Sequence, residues 1–78
     1  MIIMKKVEIK WIDSKAGKNE WEYIDDLEPL PPVICRSVGF LIEDTPKYKT
    51  IVHTINTNQI LGRITIPKCC IKKIKVLK

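Results

Sequence analysis

Short apolar segments with a two-residue period, each ended by turn-forming residues, constrain the fold of this chain most strongly. In residues 5–14, Val7, Ile9 and Trp11 alternate with charged side chains, which is the pattern of a half-buried β-strand. No helical period extends for more than about two turns anywhere in the sequence. The pattern therefore predicts an all-β chain.

The strongest strand is predicted over residues 33–43. One of its faces carries larger apolar side chains, whereas the other is small-sided and consists of Cys35, Ser37, Gly39 and Leu41. A small-sided face allows close approach of another backbone, or sharp curvature of the sheet, at Gly39.

Turn residues divide the second half of the chain into further short strands. Residues 44–47 fit a type I turn, and strands are predicted over residues 48–55, 59–66 and 71–76. Pro67 ends the second of these because proline cannot donate to a strand ladder. A tight single turn should precede the last strand. Residues 1–78 are therefore expected to form one small five-stranded barrel or half-open roll, since closure removes exposed sheet edges.

The segment between the first two long strands is the least regular. Residues 13–19 supply turn chemistry, and Trp21 and Tyr23 alternate with glutamates as in a short strand or an extended arm. Residues 25–28 can form one helical turn, but the prolines that follow stop anything longer.

Composition favours a globular intracellular protein. The hydrophobic fraction is 45% and is spread along the chain, so a core can form. No apolar run approaches the roughly 20 residues that cross a bilayer, and the order of charges at the start is wrong for a signal peptide. Cys35, Cys69 and Cys70 are an odd number, which favours reduced thiols in a cytoplasm over a disulfide framework.

Charge is distributed unevenly along the chain, whose net charge is +5. Residues 20–28 contain five acids and no base, whereas residues 68–78 contain five lysines and no acid. Such asymmetry favours an anionic partner for one face, or head-to-tail contact between copies. A domain of this size without disulfides or metal is marginally stable, so a homo-oligomer formed through a sheet edge or an apolar face is also expected.

Catalytic and metal-binding patterns are weak. His53 is the single histidine, and no motif joins it to Cys35 as nucleophile and base. Cys35, His53, Cys69 and Cys70 are nominal zinc ligands, but adjacent cysteines in an extended chain point to opposite sides, whereas zinc ligands are usually spaced two to four residues apart. We therefore expect no enzyme, no cofactor and no metal.

Binding is better supported, because aromatic side chains and cations occur close together. Aromatic planes near cations suit nucleotide-type ligands, since stacking and charge then act together. Trp11 continues the apolar face of the first strand and is more often core, whereas Trp21 between glutamates is the likelier exposed platform. A mid-strand arginine beside a serine can also bind phosphate or carboxylate. The predicted ligand-binding residues are Trp11, Ser14, Lys18, Trp21, Arg36 and Ser37.

The lysines near the carboxyl end allow two interpretations. Lys72, Lys73 and Lys75 do not all share a face of an extended strand. They are able to contact a nucleic-acid backbone, or to protect an edge strand from aggregation. Both interpretations stay open at this point.

Three segments carry a resemblance to a known group: residues 7–14, 35–44 and 66–74, which read VEIKWIDS, CRSVGFLIED and IPKCCIKKI. Their order resembles a group of short phage and prophage proteins and covers most of the chain. The last segment is also similar to the end of Src-homology-3-like and Sm-like barrels, where a proline-initiated turn leads into the closing strand. The resemblance implies an all-β, five-stranded barrel of that type, with a short helical turn before the last strand. The proline-rich residues 28–32 depart from the Src-homology pattern, so polyproline recognition is not expected.

The phage resemblance implies a small accessory protein that acts inside a bacterial host. By analogy of context it implies a non-enzymatic anti-defence protein that sequesters an anionic small molecule such as a cyclic nucleotide. The alternatives are a protein-interaction module that inhibits a host protein and a small nucleic-acid-binding barrel. Calorimetry against cyclic nucleotides, a pull-down from host lysate and the salt dependence of binding distinguish the three.

Overall fold

The protein forms one antiparallel five-stranded sheet in a computed structural model that describes residues 4–17 and 19–78. The strands are β1 (Lys6–Asp13), β2 (Val33–Asp44), β3 (Tyr48–Ile55), β4 (Ile60–Pro67) and β5 (Ile71–Leu77). Two single 3-10 turns, Ile24–Asp26 and Lys68–Cys70, precede β2 and β5 respectively. The all-β prediction and the helical turn before the last strand are confirmed.

The strands lie in the order β4-β3-β2-β1-β5, so the first strand lies between the second and the last. The sheet is open, and β4 and β5 form its two edges. None of the helical segments in the described part of the chain is long and apolar enough to cross a membrane.

Strand β2 is the longest strand and pairs with two neighbours over different parts of its length. Its residues 33–40 pair with β1, and its residues 40–44 pair with β3. A bulge between Leu41 and Glu43 accompanies the change of partner. The two halves of the sheet therefore meet near Phe40.

Gly39 lies at this junction and is buried. A Cβ atom at this position would stand 2.6 Å from the carbonyl oxygen of Val52 in β3, which is closer than real Cβ atoms approach. The prediction that another backbone passes close to Gly39 is confirmed. Only glycine allows this approach without a shift of the two strands.

The main core cluster is small and lies on one face of the sheet, whereas Val52, which is also fully buried, points to the other face. Val7, Ile9, Ile51 and Ile66 are each at most 2% exposed. Partly buried side chains pack around them, namely Trp11, Leu41, Cys70 and Ile71. The alternating residues of β1 that were predicted to be apolar therefore face the core, and we call this side of the sheet the inner face.

On the face opposite the inner face, β3 and β4 are joined by a hydrogen bond between two hydroxyl groups. Thr50 is fully buried, and its Oγ1 lies 2.8 Å from Oγ1 of Thr65 on the neighbouring strand. A buried hydroxyl needs such a partner, because burying it unpaired costs free energy. Among the described residues, no buried side-chain nitrogen or oxygen lacks a hydrogen-bond partner.

Candidate anion-binding groove

Three cations stand in one row across neighbouring strands. Lys10 in β1 is paired directly with Arg36 in β2 on one side and with Lys73 in β5 on the other. Because Val7, Ile9 and Trp11 face the core, the alternation along β1 turns Lys10 to the opposite, outer face of the sheet. Residues that pair directly lie on the same face of a sheet, so all three cations share the outer face.

A bulge in the pairing of β1 with β5 determines which carboxyl-terminal lysines reach this face. Lys10 pairs with Lys73, but Trp11 pairs with Ile71, so Lys72 is an extra residue. Lys75 pairs with Glu8 and lies on the same face as Lys73. A shallow cavity of about 210 Å³ is lined by these side chains: Glu8, Lys10, Arg36, Lys73 and Lys75. We call it the cationic groove.

The groove holds more positive charge than its single acid, Glu8, can balance. Like charges directly opposite each other in a sheet are destabilising, and Lys10 has such a neighbour on both sides. Glu8 is the single acid among the lining residues. In the described part of the chain, the one ion pair lies elsewhere and joins Lys49 to Asp44. The Lys49 ammonium holds the pKa of the Asp44 carboxyl below its usual value by a hydrogen bond.

The predicted ligand-binding residues do not form one cluster. Trp11 and Ser37 lie on the inner face, where the indole Nε1–H donates a hydrogen bond to the Ser37 hydroxyl at 3.0 Å. Trp11 also packs against the core, as its position in the alternation suggested. Arg36 is adjacent to Ser37 in β2, so its side chain points to the opposite, outer face.

Ser14 and Trp21 lie in the connection between β1 and β2. The backbone N–H of Ser14 donates to the carboxylate of Asp13 at 2.8 Å, and both residues are exposed. Lys18 lies outside the described residues. Trp21 is 101% exposed, which confirms the sequence-based expectation that it would be the exposed tryptophan.

Among the described residues, the side chains that line the surroundings of Trp21 include two acids and no cation. Trp21 lines an open concavity with Asn19, Glu20, Glu22 and Leu27. Every residue of 19–32 is exposed. We call this segment the acidic arm, because it contains all five acids of residues 20–28. Anionic ligands are repelled from such surroundings, so the arm by itself is a poor nucleotide site.

The cysteines are free thiols in the structure. Cys69 and Cys70 lie in the 3-10 turn before β5 and not in an extended segment, and their Sγ atoms are 4.0 Å apart. The hydrogen bond with Cys69, and then burial, raise the pKa of the Cys70 thiol. Within the described ranges, no group of three or more His, Cys, Asp and Glu side chains is arranged to hold a metal ion.

Cys35 and His53 do not stand opposite each other on neighbouring strands. Cys35 is paired with Trp11, whereas β3 pairs with β2 only from Phe40 onward. His53 instead lies against Gly62 in β4, and its Nδ1 is 2.6 Å from the hydroxyl of Thr54.

Four of the five groove residues were not among the predicted site residues: Glu8, Lys10, Lys73 and Lys75. The alternation along β1 already places Lys10 on the solvent side. However, the pairing of distant strands and the bulge at Lys72 do not show in the sequence, and both are needed to bring the lysines to Arg36.

In comparisons with protein-family models, curated proteins and solved structures, the chain has no significant match. The choice of a ligand class therefore depends on the arrangement of the chain's own residues.

Proposed function

We propose that this protein is a non-enzymatic binding protein whose cationic groove takes a phosphate-bearing ligand of the nucleotide class. The observation that carries the proposal is the row of Arg36, Lys10 and Lys73, in which cations stand directly opposite one another. In the free protein this row is repulsive, and an anion bound across it relieves the repulsion. The loss of this repulsion on binding then contributes to the binding free energy.

The dimensions of the row suit a small ligand with more than one phosphate group. Neighbouring strands lie about 4.8 Å apart, so the three cations span about 10 Å between the outer strands of the row. Arg36 offers a planar fork of donors that matches phosphate oxygens, whereas the lysines act as mobile point charges. Glu8 also lines the groove and can accept a hydrogen bond from a ligand hydroxyl or amine.

The resemblance to short phage and prophage proteins favours a biological role for such binding. A small protein that holds a nucleotide signal of the host, without converting it, lowers the free concentration of that signal. We propose sequestration of a cyclic nucleotide or cyclic dinucleotide inside the bacterial host as this role. This role needs only affinity and abundance, and no catalytic residues.

We also propose that the fold is an open relative of the Src-homology-3-like and Sm-like barrels. Its support is the strand order, in which β1 lies between β2 and β5, together with the Lys68–Cys70 turn that leads into β5. The division of β2 between two partner strands is a further similarity. Closure would bring β4 next to β5.

Isothermal titration calorimetry tests the ligand class. The panel comprises cyclic mononucleotides, cyclic dinucleotides, ATP and inorganic pyrophosphate, with adenosine as the ligand that lacks phosphate. We expect heat from at least one phosphate-bearing ligand and none from adenosine. Arg36→Gln and Lys73→Gln should each weaken binding by roughly tenfold, the usual effect of one charge-assisted hydrogen bond. Lys47→Gln, in the exposed turn after β2, is the matched control and should bind normally.

Nucleic acid is the second candidate ligand, because a phosphate backbone also neutralises a row of cations. The salt dependence separates the two. Affinity for a single strand should fall steeply with salt, by a slope of about −0.7 for each phosphate neutralised. A small ligand that touches only the groove has a shallower slope. If neither the panel nor an oligonucleotide binds, the proposal is wrong.

A further inference from the structure

The protein exposes far more surface than a compact chain of its mass. Its accessible surface is 6958 Å², against roughly 4,900 Å² expected for a folded monomer of this mass. The radius of gyration is 16.6 Å, whereas about 11.5 Å is expected for a compact chain of this length. The excess of about 2,000 Å² exceeds the roughly 800 Å² that each partner contributes to a standard interface. A second molecule can therefore be accommodated.

The most fully exposed apolar side chains lie in the acidic arm. Trp21, Tyr23 and Ile24 are each more than 80% exposed, and Leu27 and Leu30 are more than half exposed. Large exposed apolar patches of this kind mark interaction sites in soluble proteins. Tryptophan and tyrosine are also the side chains that dominate interface energetics.

The cationic groove is the complementary surface on the same molecule. The arm carries five acids between residues 20 and 28, and the groove carries four cations and one acid. Apolar side chains flank the groove on the outer face: Val38 is 50% exposed and Ile34 is 57% exposed. Each lies two residues from Arg36 along β2 and therefore shares its face. Charged and apolar side chains thus occur together on this face, as they do in the arm.

We propose that the acidic arm of one copy docks on the cationic groove of a second copy. The carboxylates of the arm neutralise the row of Arg36, Lys10 and Lys73, and Trp21 and Tyr23 cover the apolar side chains beside the row. The same contact made in both directions gives a symmetric dimer, the commonest closed arrangement of identical chains.

This docking makes self-association and ligand binding compete for one surface. A phosphate-bearing ligand must displace the partner's arm from the groove. The protein would then be stored as a dimer and would dissociate as it captures its ligand. This consequence rests on the proposed function, whereas the docking itself does not.

Reciprocal charge reversal tests the docking, with sedimentation velocity as the readout. Glu20→Lys/Glu22→Lys changes the arm, and Lys73→Glu/Lys75→Glu changes the groove. We expect the wild-type chain to dimerise and each double variant alone to dimerise roughly tenfold more weakly. A mixture of the two variants should restore a mixed dimer, because the reversed arm then meets the reversed groove and the native arm meets the native groove. Lys47→Glu/Lys78→Glu is the matched control for a change of net charge.

A separate variant tests the contribution of the apolar side chains to the docking contact. Trp21→Ala/Tyr23→Ala removes exposed side chains that pack on nothing in the monomer, so folding should be unaffected while dimerisation weakens. Circular dichroism checks that each variant retains its β structure. A wild-type chain that stays monomeric at every concentration contradicts the docking. So does dimerisation that survives both charge reversals, or an arm that captures a host protein while the chain itself stays monomeric.

The two proposals fail in different ways. Glu20→Lys/Glu22→Lys leaves the groove intact, so it should lose dimerisation and keep pyrophosphate binding, whereas Lys73→Glu/Lys75→Glu should lose both. If the arm variant dimerises normally, only the docking is wrong. If pyrophosphate and the nucleotides fail to bind even the monomeric arm variant, only the ligand class is wrong.

Discussion

The two faces of β1 carry alternate residues of the same short segment and differ in how their interactions are satisfied. On the inner face, Val7 and Ile9 are 1% and 0% exposed, and Trp11 donates its hydrogen bond to Ser37. On the outer face, Lys10 lies between two cations and has no acid directly opposite it. The inner face of β1 therefore stabilises the fold, whereas on the outer face Lys10 has no anion paired with it among the described residues. Stability and binding can consequently be altered independently within one strand.

The largest effect is expected from truncation on the inner face. Ile9→Ala should lower the free energy of unfolding by about 2–5 kcal/mol, because it leaves a cavity in a core with few buried side chains. Urea denaturation followed by circular dichroism measures this loss. If the chain no longer folds, Ile9→Val should still fold and lose about 0.5–1.5 kcal/mol.

Truncation on the outer face is the matched control. Val38→Ala removes an apolar side chain that is 50% exposed, so it should change stability by less than about 1 kcal/mol. Equal losses for Ile9→Ala and Val38→Ala would show that the two faces do not differ in this way.

The second largest effect is expected at the junction of the two halves of the sheet. Gly39→Ala places a Cβ against the carbonyl oxygen of Val52 and should cost about 1–3 kcal/mol, because β2 and β3 must move apart. Gly17→Ala is the control, since its nearest neighbouring atom would lie at an ordinary 3.6 Å. It should change stability by less than about 0.5 kcal/mol. Equal stability of the two variants would contradict the close approach at Gly39.

A smaller effect is expected from the inner-face hydrogen bond. Trp11→Phe removes the indole donor and should cost about 0.5–1.5 kcal/mol, and Ser37→Ala removes its acceptor with a similar result. The double variant should lose less than the sum of the two losses, because the second substitution has no bond left to break. Strict additivity would mean that this hydrogen bond does not contribute.

The smallest change in the free energy of unfolding is expected on the outer face, and there the substitution should stabilise the protein. Lys10→Gln removes two like-charge neighbours and should raise the free energy of unfolding by about 0.2–1 kcal/mol at low salt. The gain should shrink as salt increases, since screening weakens the repulsion in the wild-type chain. The same variant should bind phosphate ligands more weakly. A loss of stability at low salt would contradict the repulsive character of the row.

Local patterns in the sequence were enough to place most of the strands. The predicted 5–14 and 33–43 segments correspond to Lys6–Asp13 and Val33–Asp44, because alternation and turn residues act over short distances. Gly39 was identified from equally local information, because a glycine inside a strand often marks the close approach of another backbone. For the segment around Trp21 and Tyr23 the sequence allowed either a short strand or an extended arm, and in the structure this segment forms no strand.

The candidate site was less predictable because it depends on pairing between distant parts of the chain. Arg36 was selected from its unusual place in an apolar segment, but its neighbours Lys10 and Lys73 come together only through the register of three strands. Grouping Arg36 with Ser37 overlooked the alternation, which sends adjacent residues of a strand to opposite faces. Trp21 was grouped with lysines that are close in sequence, whereas glutamates line the concavity beside it.

The bulge at Lys72 also affects how the open sheet meets other chains. An unpaired edge invites further strands, and an open sheet has two such edges. On β5 the extra lysine interrupts the regular ladder and adds charge to the edge. On β4, Gly62 has φ +81° and lies under the His53 ring, so that edge is interrupted as well. Repeated strand-by-strand addition of further chains at these two edges is therefore disfavoured.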